Sequence, residues 1–158
     1  MQKFKTEIKW AFIFTAVLLL WMIMEKLAGF HDVRIAQHPT VSMLFMIPAI
    51  IIYVLAIKEK RDKDYEGKMS WKQGLISGAI IGLIMLVLSP IAQVIISTVI
   101  SPDYFANAIA HSVELGKVSQ TDAEAYFNLK SYIIQAAVSA PLLGIVTAAV
   151  VSIFLRRG

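Results

Sequence analysis

Four long apolar segments alternate with short polar stretches along the chain. Their expected boundaries are about 8–30, 40–58, 73–100 and 130–155. A bilayer core about 30 Å thick requires roughly 20 helical residues, so each segment predicts a transmembrane helix. The third segment is longer than a straight span requires. Pro90 predicts a bend in it, as Pro48 does in the second segment.

Small residues recur at every fourth position in the third and fourth segments. The third carries Gly74, Gly78 and Gly82, and the fourth carries Ala136, Ala140, Gly144 and Ala148. Positions four apart lie on one face of a helix, and small faces let helix backbones approach closely in lipid. We therefore expect these two helices to pack against each other as an antiparallel pair.

The polar stretch between the third and fourth segments predicts a further helix at about 102–115. Ser101 is in position to cap its start, Pro102 suits the first helical position, and Gly116 is a suitable stop. The sequence between them, DYFANAIAHSVEL, is amphipathic, so the helix is expected to lie on the outer membrane surface or to cap the bundle. A capping-box pattern at Thr121–Glu124 predicts that the fourth long helix begins before the lipid.

Composition agrees with a membrane protein. The chain is 58% hydrophobic and only 16% charged, which is too little charge to cover the surface of a soluble domain. No linker divides it, so residues 1–158 are expected to form a single domain. The predicted fold class is all-α: an integral membrane bundle of four transmembrane helices, with the additional amphipathic helix on the extracytoplasmic side. Without cysteine, disulfides and Cys-bound zinc are excluded.

The distribution of charge predicts the orientation. Eleven of the 15 Lys and Arg residues fall on the side that carries both termini, and four fall on the other side. Basic residues are retained on the cytoplasmic side of a membrane, so both termini are expected to be cytoplasmic. The net charge of +4 does not indicate nucleic-acid binding, because the basic residues flank apolar segments.

Polar residues inside the predicted helices are candidates for function, because they are costly in lipid. Spacing and depth group six of them toward the outer side: Glu25, Ser89, Gln93, Ser97, Gln135 and Ser139. An interhelical hydrogen-bond cluster is the favoured interpretation, and a polar vestibule that opens outward is the alternative. For Glu25, a pair with Lys26 that reaches to the interface is favoured over a proton- or cation-coupling carboxylate.

The three histidines all fall on the predicted outer side. They are His31, His38 and His111, and Glu114 follows His111 by three residues. Imidazole and carboxylate groups together can bind zinc, but this spacing matches no zinc signature. The favoured interpretation is that these side chains are solvated, so no metal and no cofactor is predicted.

Several stretches resemble a known family. They are EIKWAFIF, WMIMEKLAGFHD, IPAIIIYVLA, GKMSWKQGLISG, SPIAQVIISTVISPDYF and EAYFNLKSYIIQ. Over nearly its whole length the chain is similar to a domain-of-unknown-function family of small bacterial four-helix integral membrane proteins. The resemblance implies a bacterial inner-membrane protein with four spans. It implies no activity and no catalytic residues, because none is established for the family.

The leading functional hypothesis is a non-enzymatic structural or accessory protein in the inner membrane. It would act in the lipid bilayer through helix–helix contacts with a second copy or with a membrane-protein partner. The alternative is a small transporter or channel subunit that uses the outward vestibule. A metal-dependent membrane enzyme is the least favoured class, because the sequence carries no nucleophile elbow, no H-E-x-x-H and no phosphate-binding loop.

Overall fold

The computed structural model describes residues 4–157, and these fold into seven α-helices. In chain order they are α1 (Lys5–Leu27), α2 (His38–Met43), α3 (Met46–Asp64), α4 (Trp71–Ile95), α5 (Tyr104–Glu114), α6 (Gln120–Tyr126) and α7 (Leu129–Leu155). A 3-10 turn at Ile35–Gln37 precedes α2, and a π-helical turn at Ile96–Ile100 extends α4. No strand occurs within 4–157, so the all-α prediction is confirmed. Residues 1–3, with the basic Lys3, and residue 158 of the predicted domain lie outside the described part.

Four helical stretches are long and apolar enough to cross a membrane. They are α1, the run Ile35–Asp64, the run Trp71–Ile100 and α7. This confirms the prediction of four helical stretches that are long and apolar enough to span a membrane. The second is less regular than expected, because a turn at Leu44 and Phe45 separates α2 from α3. Pro48 lies in the first turn of α3, where its missing N–H costs little, and not in the middle of a helix.

The α4 and α7 helices pack closely through their small residues. A Cβ atom added to Gly78 would lie 2.0 Å from the Cβ of Ala148. Added to Gly74, it would lie 2.4 Å from the Ser152 Oγ atom, and added to Gly82, 3.2 Å from the Cα atom of Pro141. The residue numbers of the contacts fall along α7 as they rise along α4, so the two helices are antiparallel.

The other three predicted packing residues also lie along this pair. Gly144 faces the ring of Tyr53 on α3 as well as Gly82. Ala140 is half-buried and packs against the core, and the Ala136 carbonyl oxygen accepts a hydrogen bond from Ser89. The α1 and α3 helices add Ala11, Tyr53, Ala56 and Ile57 to the core.

The end of the bundle where α1 begins and α7 ends, which we call the terminal end, is tied by backbone contacts. Met69 and Arg157 exchange two N–H···O bonds of 2.9 Å. The Arg61 guanidinium donates to the Leu155 carbonyl oxygen at 3.2 Å and so caps the last turn of α7. Ser70 and Gln73 form a capping box at the start of α4.

The opposite end of the bundle, which we call the distal end, is covered by residues 28–45 and by α5 and α6. Gly116, at φ +64°, follows the end of α5 in the left-handed conformation typical of a helix stop. The predicted cap of α5 is wrong. Asp103 is the N-cap residue and makes no side-chain capping bond, whereas the Ser101 hydroxyl lies against His31.

The predicted early start of the fourth long helix is also wrong. Ser119, not Thr121, caps a short separate helix, α6. Asn128 then caps α7 by accepting a hydrogen bond from the Ser131 N–H. The helical conformation is therefore interrupted at Phe127, and α7 begins at Leu129.

Candidate functional site: a buried carboxylate and two histidines

Glu25, in the last turn of α1, is fully buried at the distal end, with 0% of its surface exposed. The Trp21 Nε1 atom, one helical turn earlier, donates to its Oε1 atom at 2.5 Å. The Ser42 hydroxyl donates to Oε1 at 3.0 Å and to Oε2 at 2.9 Å. The carboxylate is thus held from its own helix and from α2.

Two histidines face the same oxygen of this carboxylate. The Nε2 atoms of His31 and His38 lie 3.2 Å and 3.4 Å from Glu25 Oε2. His31 is 1% exposed, whereas the side chain of His38 is 17% exposed. The three residues each offer a ligand atom within 4.8 Å of the others.

The turn after α1 brings these side chains together. Gly29, at φ +82°, lets the chain reverse direction, and a side chain there would also collide with Val33. The Arg34 N–H donates to the Gly29 carbonyl oxygen at 2.8 Å, which closes the turn. His38 then begins α2, and Ser42 follows one helical turn later on the same face, with its Oγ atom 3.2 Å from His38 Nε2.

A second layer of side chains contacts the far nitrogens of both rings. The Nδ1 atom of His31 lies 2.5 Å from Ser101 Oγ, and that of His38 lies 3.3 Å from the Tyr104 hydroxyl. The Tyr104 hydroxyl is also 3.3 Å from the hydroxyl of Tyr132. Burial raises the pKa of Tyr104, so its phenol stays protonated at neutral pH.

One carboxylate oxygen and two imidazole nitrogens form a ligand set that suits zinc and similar divalent transition metals. Zinc bonds of about 2.0–2.1 Å place neighbouring ligand atoms of a tetrahedron about 3.3–3.4 Å apart. The distances from Glu25 Oε2 to the two Nε2 atoms match this value. Second-layer hydrogen bonds to the other ring nitrogen are also typical of histidines that bind metal.

The expected pair of Glu25 with Lys26 is not formed. Lys26 instead bonds Asp32, with its Nζ atom 3.2 Å from Oδ2. Glu25 does not reach to an interface, because the segment after α1 folds back over it. The pKa of Asp32 is lowered, first by the Val33 N–H that its carboxylate accepts and then by Lys26.

The other two candidate metal ligands lie outside this cluster. His111 is half-buried and Glu114 is exposed, both near the end of α5. Neither belongs to the group of close ligand atoms found in the described residues.

The six residues of the predicted vestibule do not form one hydrogen-bonded group in the described structure. Gln93 donates to Ser97 on its own helix, and Ser139 donates to the Gln135 carbonyl oxygen on its own helix. Ser89 bonds across from α4 to the Ala136 carbonyl oxygen of α7. The hydrogen bonds of Glu25 are to Trp21, His31, His38 and Ser42.

A second buried polar cluster, at the terminal end, is absent from the sequence predictions. Glu7 Oε1 lies 3.0 Å from the Lys60 Nζ atom and accepts a 2.9 Å hydrogen bond from Ser77. All three residues are buried, and they come from α1, α3 and α4. Asp64 also pairs with Lys60, at 2.5 Å. Together they line a cavity of about 430 Å³.

The spacing of Trp21 and Glu25, and of His38 and Ser42, was the local signal for the distal site. Both pairs are four residues apart, so each shares a helix face. Nothing local indicates Ser101 and Tyr104, which meet the histidines across about 70 residues of chain.

These features define the class: an all-helical protein with four candidate membrane spans and a carboxylate–imidazole cluster at one end. The chain belongs to the family described as "Protein of unknown function (DUF4199)", whose model matches residues 9–157. This confirms the predicted membership of an uncharacterised family. No curated protein and no solved structure matches the chain.

Proposed function

We propose that this is a non-enzymatic integral membrane protein that binds one divalent transition-metal ion, and that this ion is zinc. The ligands are Glu25, His31 and His38. One observation carries the proposal: two imidazole Nε2 atoms lie 3.2 Å and 3.4 Å from a single oxygen of a fully buried carboxylate.

The charge of the cluster supports a cation as the ligand. A carboxylate in a spanning segment is costly unless opposite charge compensates it. With neutral imidazoles, the cluster of Glu25, His31 and His38 carries one negative charge. A divalent ion supplies the opposite charge and accepts electron pairs from all three side chains.

The position of Ser42 supports ion binding without catalysis. Its Oγ atom lies 2.9 Å from Glu25 Oε2 and 3.2 Å from His38 Nε2. If zinc were bound by Glu25 and His38, this hydroxyl would lie beside it and would compete for the position that a hydrolytic zinc centre leaves open to water. We therefore propose that the protein holds an ion and does not activate a water molecule on it.

The setting we propose is the inner membrane of a bacterium, with both termini in the cytoplasm and the distal end outside. The excess of Lys and Arg at the terminal end supports this orientation. As an accessory protein, the chain would contact a second copy or a partner through faces other than the one that α4 and α7 share. Leu142, Leu143 and Val146 on α7 are more than half exposed and provide such a face.

Zinc binding by the purified protein tests the proposal. Protein in detergent is stripped with a chelator and titrated with zinc chloride, and bound zinc is counted by elemental analysis. We expect one zinc per chain in the wild type and at least a 100-fold loss of affinity in Glu25→Gln. Glu114→Gln, at an exposed carboxylate outside the cluster, is the matched control and should bind like the wild type.

Folding of each variant is verified by circular dichroism before titration. A wild-type protein that binds no stoichiometric zinc would refute the proposal. A folded Glu25→Gln variant with wild-type affinity would refute it as well, because the carboxylate would then not be a ligand.

A further inference from the structure

We infer that Ser101 and Tyr104 are positioning residues, which orient the two imidazoles so that their Nε2 atoms face the ion. The inference rests on the proposed function, because it assigns the second layer of the same site. It adds that the segment leading into α5 is coupled to metal binding.

The side chain of Ser101 contacts His31 and does not cap the nearby helix α5. It stands at the start of a helix, where serine usually caps an exposed backbone N–H. Here the N-cap position of α5 falls to Asp103 and lacks a side-chain bond. Ser101 is only 1% exposed, and its hydroxyl lies against the Nδ1 atom of His31.

The side chain of Tyr104 packs against the imidazole rings of both His31 and His38. Its ring centroid lies 5.4 Å from that of His31 and 4.9 Å from that of His38. Its hydroxyl reaches the Nδ1 atom of His38 at 3.3 Å, and the Tyr132 hydroxyl on its other side at 3.3 Å. The position of the His38 ring is therefore fixed by packing and by a hydrogen bond.

The chemistry of metal binding requires these contacts. A neutral histidine that gives the Nε2 electron pair to a metal carries its proton on Nδ1. That N–H needs an acceptor, and hydroxyl oxygens accept as well as donate. Ser101 and Tyr104 supply one such oxygen for each ring, so each Nδ1–H of the tautomer that binds the ion has an acceptor.

Both hydroxyls belong to one short stretch of chain, and a third contact lies one turn further. The Asn107 side chain donates to the His31 carbonyl oxygen at 3.0 Å. Because the ion and this stretch stabilise the same ring orientations, each strengthens the binding of the other, as thermodynamic linkage demands. Metal binding should therefore hold the start of α5 more firmly against the distal end.

Affinity and spectroscopy together test the inference. Zinc affinity is measured by competition with a chromophoric chelator in Tyr104→Phe, which keeps the ring, and in Ser101→Ala. We expect a loss of about 10–100-fold in each. The cobalt-substituted proteins should show visible absorption bands shifted from the wild type, because a reoriented ring changes the ligand field. Tyr126→Phe, whose hydroxyl bonds Gln135 outside the cluster, is the control and should change neither.

Hydrogen exchange measures the coupling. Amides of residues 104–114 should exchange more slowly when zinc is added to the wild type, and this protection should shrink in Tyr104→Phe. If the wild type binds zinc through Glu25, but both variants retain wild-type affinity and cobalt spectra, the positioning role is refuted and the proposed function stands. Weaker affinity with an unchanged cobalt spectrum would also refute it. A wild type that binds no zinc refutes both.

Discussion

Gly78 and Ala148 face each other so closely that a methyl group on the glycine would lie 2.0 Å from the methyl group of the alanine. At Gly74 the nearest atom is the Ser152 hydroxyl oxygen, which can rotate away, and the Ser152 Cβ atom follows at 2.9 Å. At Gly82 the nearest atom is backbone, but it lies at 3.2 Å. The methyl of Ala148 has no other rotamer, so of these three glycines Gly78 is the one where a side chain collides most severely.

Substitution of Gly78 should therefore destabilise the bundle. Overpacking costs about 1–3 kcal/mol, and the better helix propensity of alanine offsets up to about 1 kcal/mol of it. We expect Gly78→Ala to lower the free energy of unfolding and Gly78→Leu to lower it further, measured by denaturant unfolding in detergent micelles. Val87→Leu, on the exposed face of the same helix, is the control and should change little. A Gly78→Leu protein as stable as the wild type would contradict the close packing.

Gly144 and Tyr53 offer a test of a second close contact, between α7 and α3. A Cβ atom on Gly144 would lie 2.2 Å from the Tyr53 hydroxyl oxygen and 3.1 Å from Cζ. Gly144→Ala should destabilise the protein by about 1–3 kcal/mol. In the Tyr53→Phe background the loss should be smaller, because the atom that collides first is gone.

The double-mutant cycle is measured by the same denaturant unfolding. A coupling of about 0.5–3 kcal/mol is typical of residues in contact. Equal losses in the two backgrounds would show that the Tyr53 hydroxyl does not face Gly144.

The packing of α4 on α7 was predictable because it depends on a local period. Small residues four apart mark one helix face, whatever the rest of the chain does. The antiparallel pairing of the two helices then follows from two such faces on consecutive long helices.

The distal site was not predictable, because it depends on turns and on distant contacts. The sequence alone suggests that Glu25 lies at the membrane interface. In the structure, the turn at Gly29 brings His31 and His38 against its carboxylate. The sequence likewise suggests that Ser101 caps a helix, because the residue that its hydroxyl contacts instead, His31, lies 70 residues earlier. Local propensity was overridden in both cases by a tertiary contact.

The buried pair of Glu7 and Lys60 should matter for stability. Removing one partner of a buried ion pair leaves the other uncompensated and typically costs about 3–5 kcal/mol. Asp64 remains beside Lys60 in Glu7→Gln, so we expect a loss toward the lower end of this range. The free energy of unfolding in detergent measures it.

The exposed pair of Lys63 and Glu59 provides the control. The Lys63 Nζ atom lies 2.8 Å from Glu59 Oε1, but the Lys63 side chain is 68% exposed. Ion pairs that are exposed to solvent contribute little to stability. Lys63→Gln should therefore leave stability nearly unchanged. If Glu7→Gln were as mild as Lys63→Gln, the cluster at the terminal end would not support the fold.

His38 and His111 provide the sharpest comparison for the metal site, because both lie at the distal end and only His38 faces Glu25. Zinc at 100 times its dissociation constant should stabilise the wild type by about 2.7 kcal/mol, since it binds the folded state alone. His111→Ala should keep this stabilisation, whereas His38→Ala should lose nearly all of it at the same zinc concentration. The measurement is the thermal unfolding midpoint with zinc and with chelator. Equal zinc-dependent shifts in the two variants would mean that zinc binds elsewhere on the protein.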